Sequence, residues 1–264
     1  MSASHWSPPR RLVAVDATDV TDPPAASLLI ATALAAEPSA VLVHPSAGTR
    51  ALLAGLPAAP VVAIVPDLAQ LLRDVAARGA PRAAGSRLAA GGLLACWRLA
   101  GTGLRHLADL ARQDFRGIVP VLIDLERARL GRTAPEGVAL AAALTDLLLA
   151  AGHAECLAHV VWFLRRAGAR AGFETRNLGH LLTRLGTWGV VPDFVIGPLN
   201  PRGFRMKPTP SAVLAAIGQT AIPVLASELT AAGTVPLADA VAYARQHGAA
   251  GVIVPADELA ERVP

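Results

Sequence analysis

The sequence predicts an α/β fold organised around a parallel sheet. Two observations carry the expectation. Short β-branched apolar runs recur along the 264 residues, and continuous runs of this kind suit strands buried on both faces. Segments of helical spacing separate them, and strict alternation of strand and helix implies βαβ units. Hydrophobic residues make up 53% of the chain and charged residues 17%, which excludes intrinsic disorder. No Gly-X-Y period, sustained heptad or solenoid repeat appears.

The expected strands are, in order, Leu12–Asp16, Ala40–His44, Val61–Val65, Ile118–Asp124, Ala171–Glu174, Phe194–Gly197, Pro223–Ala226 and Gly251–Val254. Helical spacing falls over Asp67–Ala77, Gly137–Ala150, Leu178–Leu185 and Leu237–His247. Thr21-Asp22-Pro23-Pro24 reads as the cap and first turn of a helix through Leu29, Ile30 and Leu34, since proline is tolerated where the amide is unpaired anyway. Pro66-Asp67 ends a strand and opens a helix, and Asn200-Pro201-Arg202-Gly203 is a turn by composition.

Eight strands in roughly 250 residues resemble the TIM (β/α)8 barrels at the superfold level. The resemblance covers nearly the whole chain and rests on pattern, without a family motif. It implies one barrel domain over residues 12–264, preceded by a disordered segment 1–11, with extra helices after strands 3 and 4. An open doubly wound parallel sheet is the alternative. Gly101-Thr102-Gly103 hints at a dinucleotide loop but lacks the third glycine. Leu93–Trp97 is a ninth strand candidate.

Composition narrows the partners. The formal charge is +4 and aromatic residues are 4%, without the clustered cations and stacking platforms of a nucleic-acid binder. Arg165, Arg166 and Arg170 read as the solvated end of a helix. Cys96 and Cys156 are expected to be buried thiols in a reducing compartment, with no zinc-type spacing. Met1–Arg11 has no apolar core of a secretory signal, and Pro210, Gly218 and Pro223 break the longest uncharged stretch. A cytoplasmic protein is expected, binding a small molecule rather than nucleic acid or membrane, with a homo-oligomer left open. Trp97, Trp162 and Trp188 read as core, and the remaining histidines as ordinary helix residues.

In parallel barrels chemistry sits on the loops at the C-terminal strand ends. Those positions offer Asp16, Asp19, His44, Ser46, Asp67, Asp124, Glu126, Glu174, Asn177, Asn200, Arg202, Arg205, Lys207, Ser227, Glu228 and Asp257. Glu174, Glu228 and Asp124 are the catalytic candidates. Converging carboxylates repel, so such a site shares protons or takes a hard cation. Glu174 and Glu228 would hold Mg²⁺ or Mn²⁺. Ala171–Asn177 is similar to the fifth-strand end of xylose-isomerase-like barrels, where the glutamate binds metal. The sixth and eighth strand ends depart from that pattern, so the function is not carried over.

Lys207 is the single lysine, the other 23 basic residues being arginine. An amine that must lose its proton or form an imine cannot be an arginine. A contact to an anion is the other role open to Lys207. Arg202 and Arg205 offer bidentate forks for phosphate or carboxylate. Asp16, His44, Asn177 and Asn200 complete the expected substrate contacts.

The resulting expectation is a lyase or isomerase acting on a small anionic carbonyl or sugar-like substrate. Two alternatives stand beside it: a non-catalytic barrel that binds a metabolite or partner, and a flavin or nicotinamide oxidoreductase.

Overall fold

The computed structural model describes residues 11–15, 39–46, 48–56, 59–131 and 133–256. Strands β1 (Arg11–Val15), β2 (Ser39–Val43), β3 (Val61–Val65), β4 (Gly137–Leu140), β5 (Arg170–Glu174), β6 (Phe194–Pro198), β7 (Val224–Ser227) and β8 (Gly251–Pro255) run in this order around a ring. Every pairing is parallel. Leu12 lies opposite Ile253, and this β1–β8 pairing closes the sheet. The fold is therefore a TIM-type barrel, and the open sheet is excluded.

The helices among the described residues are α1 (Thr49–Ala54), α2 (Leu68–Arg78), α3 (Ala80–Arg105), α4 (Leu107–Ala111), α5 (Phe115–Arg127), α6 (Ala142–Ala150), α7 (Ala154–Arg166), α8 (Leu178–Trp188), α9 (Pro210–Gln219) and α10 (Leu237–Gln246). Asp67 caps α2 by accepting from the Gln70 amide at 2.9 Å, as expected of the Pro66-Asp67 step. Extra helices do follow the third and fourth strands: α2 to α5 after β3, and the pair α6 and α7 after β4. Arg11, expected in the disordered segment 1–11, opens β1; residues 1–10, Asp16, Asp19, the helix through Leu34 and Asp257 lie outside the described residues.

The expected fourth strand is corrected. Ile118–Asp124 lies within α5, whose N-cap Asp114 accepts from the Arg116 amide. The fourth strand is Gly137–Leu140, which the apolar pattern had merged with the helix after it. A buried helix and a buried strand carry the same composition, and periodicity alone does not separate them. Leu93–Trp97 is helical too, in the second half of α3 beyond a break at Gly92. Gly92 sits at φ 66°, which a residue without Cβ adopts freely.

Alternate strand residues point into the lumen. Leu12, Ala40, Leu42, Val62, Ile64, Ala139, Ala141, Phe194, Ile196, Leu225 and Ile253 pack there as one apolar cluster. The opposite strand faces meet the helices in a second, larger core. Phe194 fills space that glycines on the neighbouring strands leave. A Cβ on Gly172 would stand 2.3 Å from the Phe194 ring, and one on Gly137 3.2 Å away. The lumen is thus a packed core, and polar chemistry is confined to the loops and the helix layer.

Candidate active site at the barrel mouth

The loops after β5, β6 and β7 are bonded into one rim. Asn200 follows β6 and is fully buried. Its Nδ2 donates to the carbonyls of Phe204 at 2.9 Å and Glu228 at 3.1 Å, and its Oδ1 accepts from the Phe204 amide at 2.9 Å. Arg205 Nη1 donates to Glu228 Oε1 at 2.6 Å. The Gly179 amide, on α8 beyond β5, donates to the Lys207 carbonyl at 3.1 Å. Together these bonds join segments up to 49 residues apart, from Gly179 to Glu228.

Backbone strain collects in this rim. Arg205, Glu228, Ala231 and Ala232 have φ between 49° and 60°, and among the described residues Gln113 alone shares that region without being glycine. Side chains with a Cβ pay steric energy there, and such residues cluster at functional sites. Arg205 and Glu228 are thus both strained and paired to each other.

Glu174 ends β5. It shares a strand face with Gly172, which abuts the lumenal Phe194, so it stands on the lumenal side of the mouth. Its Oε2 accepts from the Ala142 amide at 2.9 Å, at the first residue of α6. Among the described residues it forms no ion pair, neither with Arg176 nor with Arg202. Thr175, next along, donates to Asp146 of α6, and the Arg176 amide donates to the same carboxylate at 3.1 Å. The end of β5 is therefore fixed by α6 on three consecutive residues, Glu174, Thr175 and Arg176.

The remaining expected residues divide clearly. Arg202 and Lys207 are exposed on the β6–α9 loop and form no ion pair among the described residues. Asn177 is half-buried at the start of α8, its amide donating to Thr175 Oγ1 at 2.9 Å. His44 is half-buried after β2, and its carbonyl accepts from Thr49 Oγ1 at 3.3 Å. Among the described residues no three His, Cys, Asp or Glu side chains are grouped to hold a metal ion.

Asp124 is corrected in place. It is buried in the helix layer, where Thr102 Oγ1 donates to its Oδ2 at 2.6 Å and Arg98 Nε lies 3.2 Å from Oδ1. Glu126 lies in a neighbouring buried cluster, 2.6 Å from Arg87 Nε, with Arg129 at 3.7 Å. Arg87 also reaches Asp74 at 2.9 Å. Burial pushes the Glu126 carboxyl above its ordinary value, with Arg87 and Arg129 opposing that shift. Residues that spacing did not single out are Asp146, Arg87 and Arg98. Their partners are too distant in the chain for spacing to reveal them, although Arg98 and Arg105, seven apart, already share a helix face.

Trp97 and Trp162 are exposed rather than core, and so is Cys96; Cys156 is buried as expected. No helix among the described residues is long and apolar enough to cross a membrane. The chain matches no family model and no curated protein.

Proposed function

We propose that this barrel is a lyase or isomerase for a small anionic carbonyl or sugar-like substrate, working by carboxylate acid/base chemistry at its C-terminal mouth. The observation that carries the reading is the rim itself: Glu228 and Arg205, both in left-handed backbone conformations and paired at 2.6 Å, with the buried Asn200 bonded to the Glu228 carbonyl. Glu174 is the general base. Its carboxylate takes the proton from the carbon beside the carbonyl. Returning that proton to the former carbonyl carbon, while Glu228 passes the hydroxyl proton from one oxygen to the other, isomerises an α-hydroxy carbonyl; loss of a leaving group from the β carbon instead eliminates. Arg202 and Lys207, exposed and without an ion pair among the described residues, hold the phosphate or carboxylate. The exposed position of Lys207 supports an anion contact over an imine. Arg205 orients Glu228 as the second acid/base group.

A divalent Mg²⁺ or Mn²⁺ ion is a variant of the same reading. With Glu174 and Glu228 as its ligands, substrate oxygens or water would complete its shell. A cytoplasmic location belongs to this proposal as well.

The experiment is a thermal-shift screen of sugar phosphates and keto acids, followed by turnover of the ligands that stabilise the protein. Glu174→Gln is expected to lower kcat by about 100-fold or more, the scale of a lost general base. Arg202→Ala is expected to raise KM, with unchanged circular dichroism in both. Full activity in both variants overturns the assignment. One observation favours a second reading, a non-catalytic metabolite-binding barrel: both carboxylates are already engaged, by the Ala142 amide and by Arg205. Stabilisation by a ligand without turnover selects it.

A further inference from the structure

A cavity of about 720 Å³ lies in the helix layer outside the barrel wall. Its walls come from α3, α5 and the C-terminal end of α7, and none of its lining residues belongs to a strand. Four guanidinium groups line it: Arg98, Arg105, Arg127 and Arg166. Asp124 is the one carboxylate among them. Trp97 and Trp162, 76% and 51% exposed, stand at its edge as broad apolar faces.

Arg127 is the informative residue. It is only 8% exposed, yet its Nε and Nη1 have no hydrogen-bond partner among the described residues. Its charged neighbour Asp124 lies 3.7 Å away, too far for a hydrogen bond. Asp124 is also shared with Arg98, so two cations face one anion. A buried charge without compensation is strongly unfavourable. Desolvation, and then the neighbouring Arg98, hold the Arg127 guanidinium below its ordinary value, against the pull of Asp124. The cavity is short of negative charge and rich in planar donors, and it opens beside indole rings. Arg166 already lies over the Trp162 ring, at 5.8 Å.

We propose that this flank cavity binds a small organic anion, a phosphate or carboxylate carried on an aromatic or apolar body. The anionic group completes the coordination of Arg127 and Arg98. Arg105 and Arg166 close over it from the exposed side, and the body lies against Trp97 and Trp162. Such a ligand would occupy a site separate from the barrel mouth, so this inference does not rest on the proposed reaction.

The test is calorimetric titration of the intact protein with phenyl phosphate, and separately with inorganic phosphate. Saturable binding of phenyl phosphate is expected, with inorganic phosphate weaker by about tenfold for want of stacking. Arg127→Gln is expected to weaken binding by about tenfold or more, as for a lost charge-assisted hydrogen bond. Because that residue is buried, the double variant Arg105→Gln/Arg166→Gln, on exposed positions, gives the same readout without disturbing the core. Arg73→Ala, exposed on α2 and outside the cavity, should leave binding unchanged. The proposal is overturned by the absence of saturable binding, by equal binding in the flank variants, or by loss in Arg73→Ala alone. Adsorption to phosphatidylglycerol vesicles without phenyl phosphate binding overturns it as well, and assigns Leu93, Leu94 and Trp97 to a lipid surface.

Discussion

The side-chain amide of Asn200 donates to the backbone carbonyl of Glu228 at 3.1 Å, so one buried residue after β6 positions the acid after β7. Its other two bonds close its own loop on Phe204. Asn200→Ala would leave the Phe204 amide and two carbonyls without these partners. A loss of about 1–3 kcal/mol is expected, the penalty of stranded polar groups. Urea unfolding checks it. A change below about 0.5 kcal/mol, the usual range of surface substitutions, would show that the rim does not depend on this residue.

Inside the barrel the governing contact is Gly172 against Phe194. Gly172→Ala places a methyl where the ring already stands, 2.3 Å away. Overpacking of this kind costs about 1–3 kcal/mol. Combining it with Phe194→Leu should recover part of that loss, because the shorter side chain vacates the space. A double-mutant cycle by denaturant unfolding reads the coupling. Additive effects would mean the lumen relaxes around the new methyl.

The sequence carried the barrel because its strands are unusual in being apolar on both faces. Val61–Val65 and Phe194–Pro198 are buried along their whole length, and helices bury only a stripe. The same signal misled at Ile118–Asp124, since α5 is itself sandwiched between helices and buries Asp124, Glu126 and Arg127 along with its apolar residues. At the mouth, Glu174 and Glu228 were legible as polar residues where apolar runs stop. Their partners were not. Arg205 meets Glu228 across 23 residues, and both take left-handed φ at positions that are not glycine. The helix-layer arginines were hidden for a related reason: a buried arginine and a solvated one look identical in a sequence.

Arg87 shows what burial does to a charge pair. Its side chain and that of Glu126 are both fully buried. Arg87→Met would strand the Glu126 carboxyl, and a loss of about 3–5 kcal/mol is expected. Arg116→Ala breaks an exposed pair with Asp114 at 2.9 Å and should leave the unfolding midpoint nearly unchanged. Adding Glu126→Leu to Arg87→Met should restore part of the stability, because the charge that lacked a partner is gone. Unfolding midpoints of the three variants decide it; equal losses for Arg87→Met and Arg116→Ala would refute the contrast.

The two thiols differ for the same reason. Burial pushes Cys156 up to about 12, with the Asp114 carboxylate adding to the shift and Arg116 opposing it. Cys96 lies exposed on α3. The thiolate is the reactive species, so at pH 8 Cys156 has only about one part in ten thousand in that form. A disulfide reagent such as dithionitrobenzoate is therefore expected to label one thiol promptly in the native protein and a second only in denaturant. Peptide mapping should place the first label on Cys96. Prompt labelling of both would mean that α7 opens readily around Cys156, and the protected rate of Cys156 otherwise reports how often the helix layer comes apart.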